Sequence, residues 1–182
     1  MVRNDTGNGR TTHATGRPGA PPSPPHLGGV SINRAVVATA NGWNIVVLDT
    51  VSAILREDRG HIVVTGSHGG SSAGEYALRA GVGIVICSDA GMGKNNAGVA
   101  GLEKLANFNV PALAVAGSSA RIGDGRDVWD RGVVSYVNRM AEQLGFTCGA
   151  ALQAQLRDFI SGRERQETLA ALGLAHLGGD SL

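Results

Sequence analysis

Three consecutive segments of the chain share one pattern, and this repetition limits the possible folds more than any other sequence feature. In each segment an apolar run of strand length leads into a junction rich in Gly, Ser and Asp, which is followed by a helical stretch. The apolar runs are 61–65, 82–87 and 110–116, and the helical stretches are 73–80, 97–106 and 126–144. Short strands that alternate with helices predict βαβ units with right-handed crossovers, and therefore a parallel sheet.

The apolar runs are continuous rather than alternating, which is typical of strands that are covered on both faces. We therefore expect an α/β fold with three layers, α/β/α, around a mostly parallel sheet. Ahead of the three segments, Asn41-Gly42 separates two runs rich in β-branched residues, 30–38 and 43–48. Asn-Gly favours a type I′ turn, because both central residues need positive φ, so a β-hairpin should precede the sheet. A further helix is expected over 150–160.

The two ends of the chain differ in composition from its middle. Residues 16–25 are dominated by Pro and Gly, and such a segment buries too little apolar surface to offset the entropy of ordering. We expect a disordered or extended tail over 1–29, a single α/β domain over 30–175 and a flexible C-terminal tail over 176–182.

Charge and hydropathy narrow the classes of partner. With 16 Lys and Arg against 15 Asp and Glu, the chain has no basic field for a nucleic-acid backbone. No apolar run has the roughly 18 residues of a membrane span, and no secretory signal is recognisable, so we expect a cytoplasmic protein.

Cys87 and Cys148 lie in apolar sequence and are interpreted as reduced core thiols. Because only 17% of the residues are charged, we expect a homo-oligomer.

The junctions after the apolar runs predict a functional site. Carboxyl ends of parallel strands meet at one edge of a sheet, where helix N-termini attract anions. The polar and titratable residues of the three junctions are Ser67, His68, Ser71, Ser72, Asp89, Lys94, Asn95, Asn96, Ser118, Ser119, Arg121, Asp124 and Arg126. Asp49 joins them if its strand is parallel to the others.

Roles follow from the chemistry of these groups. The junction Ser67-His68-Gly69-Gly70-Ser71-Ser72 offers backbone N–H groups, hydroxyls and an imidazole at one helix start, which suit a carboxylate, a phosphate or a developing oxyanion. Arg121 suits a bidentate contact with a carboxylate. The predicted catalytic residues are Lys94, His68, Asp89 and Ser71, and the predicted substrate-binding residues are Ser67, Gly69, Gly70, Ser72, Asn95, Ser118, Ser119, Arg121 and Asp124.

Simpler interpretations stand beside these roles. Ser72, Asn96 and Asp124 or Asp127 are candidate helix N-caps, and Asp89 and Lys94 are candidates for an ordinary ion pair. Cys87 is a less favoured candidate for a thiol at the same edge. We predict no metal, although His68, Asp89 and Asp124 leave one conceivable.

Two nucleotide-binding patterns match only in part. Gly93-Lys94 follows a strand as in a P-loop, but Ser88 stands at the leading glycine position and Asn95 replaces the final hydroxyl residue. In Gly91-Met92-Gly93-Lys94-Asn95-Asn96, asparagine occupies the third glycine position of a dinucleotide fingerprint. We therefore predict no cofactor.

The segment Gly69-Gly70-Ser71-Ser72-Ala73-Gly74-Glu75-Tyr76-Ala77-Leu78 resembles the Gly/Ser-rich segment of the amidase signature family, with a weaker likeness as far as Asp89-Ala90-Gly91. That family uses two serines and a lysine, so the resemblance implies amide or acyl chemistry. The nucleophile would be Ser67, Ser71 or Ser119, activated by Lys94 or His68. The family's nucleophile position falls near Gly93, which has no hydroxyl, and its upstream lysine has no counterpart here.

These features favour one functional hypothesis over a second. The first is a small cytoplasmic enzyme of hydrolase or lyase type that acts on a carboxylate- or carbonyl-containing metabolite at this edge. The second is a non-catalytic anion- or nucleotide-binding subunit, or a scaffold subunit, of an oligomeric complex. The partner in the first case is a small molecule with a carboxylate or phosphate group.

Overall fold

The computed structural model describes residues 33–162, 169 and 171–174. The tails predicted over 1–29 and 176–182 lie outside these residues. Every described residue belongs to a unit that spans Ile32–Leu182.

Six strands form one sheet, in which their spatial order equals their order along the chain. Strands β2 to β5 are parallel to one another, whereas β1 is antiparallel to β2 and β6 is antiparallel to β5. The strands are β1 Arg34–Ala40, β2 Trp43–Leu48, β3 Ile62–His68, β4 Ile84–Ser88, β5 Ala112–Val115 and β6 Val134–Val137. The predictions of an α/β fold and of a mostly parallel sheet are confirmed.

The N-terminal hairpin forms at Asn41-Gly42, as the dipeptide predicts. Ala40 pairs with Trp43 across the turn. Asn41 has φ of 48° and Gly42 has φ of 77°, so both central residues occupy the left-handed region that a type I′ turn requires.

Five α-helices lie among the described residues, together with four short 3₁₀ turns. The helices are α1 Ser71–Ala80, α2 Ala100–Leu105, α3 Gly125–Arg131, α4 Arg139–Gln143 and α5 Leu152–Ser161. The 3₁₀ turns are Val51–Ala53, Arg56–Asp58, Lys94–Asn96 and Ala106–Phe108.

The single helix expected over 126–144 is wrong. Helix α3 ends at Arg131, the chain then forms β6, and α4 begins only at Arg139. The β-branched and aromatic residues of β6 pair with β5, where Tyr136 lies opposite Ala114. Asn138 starts α4, since its buried side chain accepts a hydrogen bond from the Ala141 N–H. Pairing with a strand that is distant in sequence therefore overrides the helical pattern.

The strand side chains belong to two separate buried clusters. Alternate strand residues such as Ile62 and Ile84 belong to a cluster that includes Trp129 of α3 and Phe159 of α5. Their neighbours, such as Val63, belong to a second cluster with residues from α1 and α2. This arrangement explains why the strands are continuously apolar. None of the helices formed by the described residues is long and apolar enough to cross a bilayer.

Candidate functional site

The loops that leave β3 and β4 at the carboxyl edge lie against each other. The N–H of Gly69 donates to the carbonyl oxygen of Ser88 at 2.9 Å, and the N–H of Gly101 donates to the carbonyl oxygen of Gly69 at 3.0 Å. A side chain on Gly69 would collide with Leu102 of α2. The glycines of this junction therefore permit close packing between the β3–α1 and β4–α2 connections.

Asp89 joins the β4–α2 loop to the loop that leaves β5. The residue is 4% exposed. Oδ1 accepts hydrogen bonds from the Gly91 N–H at 2.7 Å and from the Gly117 N–H at 2.8 Å. The structure thus gives Asp89 a role in holding two loops together, and its participation in proton transfer stays a prediction.

The β4–α2 loop has an unusual backbone. Positive φ angles occur at Ala90, Gly91, Met92, Gly93, Asn95 and Asn96. For residues other than glycine this conformation costs on the order of 1–2 kcal/mol each, so the surroundings must enforce it. Two hydrogen bonds do so, from the Met92 N–H to the Asp89 carbonyl at 2.7 Å and from the Gly98 N–H to the Met92 carbonyl at 2.8 Å. Lys94 and Asn95 are exposed on this loop.

The β3–α1 junction places an imidazole beside a helix start. His68 is exposed, and a Cβ on Gly70 would lie 2.9 Å from its Nε2 atom, so the glycine leaves room for the ring. Gly70 is the N-cap of α1 and provides no side-chain cap. Ser71 and Ser72 are exposed at the start of the helix, where N–H groups lack a carbonyl partner four residues earlier, whereas the Ala73 N–H donates to the Gly70 carbonyl at 3.0 Å.

Two of the expected helix caps are wrong and one is confirmed. Ser72 lies inside α1, and Asn96 lies in a 3₁₀ turn, while α2 begins at Ala100. Asp124 does cap α3, since its Oδ1 accepts a hydrogen bond from the Asp127 N–H at 2.9 Å.

Several predicted binding residues hold the loops together. Ser67 Oγ accepts a hydrogen bond from the Val51 N–H at 3.0 Å. Ser119 Oγ donates to the Ala116 carbonyl at 2.7 Å and accepts from the Val133 N–H at 3.0 Å. Asp49 joins this edge, since β2 is parallel to β3, and its Oδ1 accepts from the Gly125 N–H at 3.1 Å. The sequence predicted that these residues lie at the carboxyl edge, but it did not predict the backbone groups with which they form hydrogen bonds.

Arg121 has an anchored backbone and an exposed side chain. Its N–H donates to Asp127 Oδ2 at 2.9 Å, and its guanidinium forms no ion pair with a carboxylate of the described residues. Arg126 instead pairs with Asp130 at 2.7 Å. The neighbouring Ser118 is also exposed. Arg121 is therefore the arginine of this loop that is available to a ligand.

The side chains of His68, Lys94 and Arg121 are exposed at the carboxyl edge. Cavities of about 580, 280 and 240 Å³ occur among the described residues, and His68, Lys94 and Arg121 line none of these three. Ser71 lines the smallest, between α1 and α2. Within the ranges that the structure describes, His, Cys, Asp and Glu side chains form no group of three or more that could hold a metal ion.

The two cysteines have opposite environments. Cys87 is buried, and burial raises the pKa of its thiol to about 11, partly offset by a hydrogen bond from Thr65. A thiol that stays protonated is a poor nucleophile. Cys148 is exposed, so the expectation of a second core thiol is wrong. Cys148 lies in the connection between α4 and α5. Its apolar neighbours in the sequence therefore do not make the cysteine itself buried.

We expect Cys87 to make the protein less stable at alkaline pH. An unfolded thiol ionises near the ordinary pKa of 9.0, whereas the folded thiol ionises near 11. Between these values the unfolded state binds fewer protons, so the free energy of unfolding falls by up to about 1.4 kcal/mol per pH unit. The measurement is denaturant unfolding from pH 8 to 11. The fall should be shallower in Cys87→Ala and unchanged in Cys148→Ser; parallel curves for wild type and Cys87→Ala would contradict the assignment.

Comparison with protein-family models, with curated proteins and with solved structures yields no match to this chain. No family model therefore supports the resemblance of the Gly69 segment to the amidase signature family.

Proposed function

We propose that this protein is a small cytoplasmic enzyme of hydrolase or lyase type that acts on a carboxylate- or carbonyl-containing metabolite at the carboxyl edge of the sheet. The observation that carries the proposal is the contact between the β3–α1 and β4–α2 connections. His68 ends β3 and Ser71 begins α1, and Lys94 lies in the β4–α2 connection that packs against this junction through Gly69.

Each group has a role in this proposal. The N–H groups in the first turn of α1 stabilise an anionic group or a developing oxyanion. Arg121 binds a carboxylate, with help from Ser118 and Asn95. His68 and Lys94 transfer protons, and Ser71 is the candidate nucleophile. Asp89 positions the loops through its two hydrogen bonds with backbone N–H groups.

We also propose a three-layer arrangement and a homo-oligomer. The separate buried clusters on the two sheet faces support three layers, with α1 and α2 on one side and α3 and α5 on the other. Large apolar side chains that remain exposed on the α1 and α2 side support self-association, namely Leu78 and Phe108.

One observation favours the second candidate function, a non-catalytic anion- or nucleotide-binding subunit or a scaffold subunit. Enzyme sites usually surround most of a small substrate, whereas the side chains of His68, Lys94 and Arg121 are exposed. A binding subunit needs the helix start and Arg121 but not a proton-transfer group. The effects of substitutions at His68 and Lys94 therefore discriminate between the two functions.

The binding test is a thermal-shift panel of phosphates, dicarboxylates, keto acids and cyclic amides. A ligand at a hundred times its dissociation constant stabilises the folded state by about 2.7 kcal/mol, a readily measured shift. We expect a carboxylate or carbonyl compound to stabilise the wild type but not Arg121→Ala. Arg126→Ala is the matched control, because this arginine lies on the same segment and pairs with Asp130.

The catalytic test uses the compound that binds. His68→Ala and Lys94→Ala should each reduce turnover by about a hundredfold while the dissociation constant changes little, because proton transfer contributes mainly in the transition state. Binding without turnover in the wild type would instead support the non-catalytic subunit. Stabilisation by a carboxylate or carbonyl compound that survives in Arg121→Ala would exclude Arg121 as its binding residue.

A further inference from the structure

A second candidate site lies between the β2–β3 crossover and the C-terminal half of α1. It is a cavity of about 580 Å³, within the usual range of small-molecule sites. Three guanidinium side chains line it, those of Arg56, Arg59 and Arg79. The lining contains no Asp or Glu among the described residues. We call it the arginine groove.

Among the described residues, no acidic side chain forms an ion pair with the arginines of the groove. Glu57 and Asp58, which lie between Arg56 and Arg59 in the sequence, both pair with Arg34, at 2.8 and 2.6 Å. Like charges around one cavity repel each other, and a bound anion relieves this repulsion. Guanidinium groups match phosphate and carboxylate oxygens in pairs, which gives the groove a preference for such anions.

The remaining wall of the groove is apolar and includes an aromatic ring. Ile54 and Leu55 line the crossover side and Tyr76 lines the helix side. Tyr76 and Leu55 are 45% and 46% exposed, although both are large side chains. The Cζ atom of Arg79 lies 6.0 Å from the centre of the Tyr76 ring. A planar ring of a ligand finds both an apolar surface and stacking partners here.

Hydrogen bonds hold the crossover wall in place. The Leu55 N–H donates to Asp58 Oδ2 at 2.8 Å, and Asp58 is itself held by Arg34. Near the other end of the groove the Gly60 N–H donates to the Gly81 carbonyl at 2.9 Å. The groove is thus shaped before a ligand arrives, which reduces the ordering cost of binding. It shares no lining residue with the carboxyl-edge site.

We propose that the arginine groove binds a small ligand in which a phosphate group is attached to a planar ring, the chemistry of a nucleotide. The phosphate oxygens contact the arginines, and the ring lies against Tyr76. This inference is independent of the reaction proposed for the carboxyl edge, because the two sites use different side chains.

Isothermal titration of the full chain at fixed ionic strength tests the proposal, with ADP, inorganic pyrophosphate and adenosine as probes. ADP should bind more tightly than pyrophosphate, and adenosine should bind about tenfold or more weakly than ADP. Arg59→Gln and Arg79→Gln should each weaken ADP binding by about tenfold. Tyr76→Ala should weaken ADP but leave pyrophosphate unchanged, and Arg126→Gln should change neither.

Three results would overturn the proposal. The first is the absence of ADP binding at millimolar concentration. The second is ADP binding that persists in Arg79→Gln and is lost in Arg121→Gln, which would place the anion at the carboxyl edge. The third is equal affinity for ADP and pyrophosphate together with no effect of Tyr76→Ala, which would exclude a role for the ring. Because the groove arginines are exposed, these variants should fold, and their unliganded melting temperatures check this.

Discussion

Replacement of Asp89 by alanine should lower the free energy of unfolding by about 3 kcal/mol. The substitution removes two hydrogen bonds between a charged oxygen and the backbone N–H groups of Gly91 and Gly117, and such bonds contribute roughly 1.5 kcal/mol or more each. It also releases the contact between two loops of the candidate site. Denaturant unfolding monitored by circular dichroism measures the change.

Two further variants serve as controls for the loss of stability in Asp89→Ala. Asp89→Asn keeps an oxygen acceptor and should cost about 1 kcal/mol. Asp124→Ala removes a single helix cap and should also cost about 1 kcal/mol. If Asp89→Ala is destabilised by no more than Asp124→Ala, the two loop hydrogen bonds contribute little. Once a substrate is known, turnover of Asp89→Asn distinguishes a positioning role of Asp89 from a role in proton transfer. Turnover should be retained if Asp89 only positions the loops, because the amide still accepts a hydrogen bond. It should be lost if the carboxylate transfers a proton.

Replacement of Gly98 by alanine should destabilise the protein by about 3 kcal/mol or more. A Cβ at this position would overlap the carbonyl oxygen of Asp89, far inside van der Waals contact, and it would also lie 3.2 Å from the carbonyl oxygen of Met92. Both neighbours are backbone atoms, so relief requires a shift of the whole β4–α2 loop. Overpacking of this kind commonly costs 1–3 kcal/mol, and more where backbone must move.

Gly91→Ala is the matched control in the same loop. A Cβ on Gly91 meets no atom within 4 Å, and its φ of +73° is the only penalty, which amounts to about 1 kcal/mol. In denaturant unfolding, Gly98→Ala should therefore have a clearly lower free energy of unfolding than Gly91→Ala. The opposite order would show that the stability of this loop depends more on the backbone conformation at Gly91 than on the close packing at Gly98.

Much of the fold was predictable because its signals are local. The Asn41-Gly42 hairpin depends on the φ angles of two adjacent residues. The alternation of apolar runs and helical stretches places β3, β4 and β5 in order. The predicted grouping of His68, Ser71 and Lys94 depends only on parallel strands ending at one edge. The β3–α1 and β4–α2 connections are in contact through Gly69, and the grouping of the three side chains into a site stays a prediction.

Other features depend on contacts between residues that are far apart in the chain. Strand β6 forms because β5 offers it a partner, and no local pattern in 126–144 contains that information. The structural hydrogen bonds of Ser67 and Ser119 come from distant N–H groups, those of Val51 and Val133. A serine in a loop has the same sequence signature whether its hydroxyl faces a ligand or a neighbouring backbone.

The sequence by itself determined the α/β class, the hairpin and the edge at which the junctions meet, because short-range sterics and hydropathy encode these features. Only the tertiary structure decided which polar groups are occupied within the protein and which remain exposed. It also assembled the arginine groove, since Arg79 joins Arg56 and Arg59 only when α1 packs beside the crossover. Long-range packing creates such charge clusters, and local sequence patterns do not contain the distances between their members.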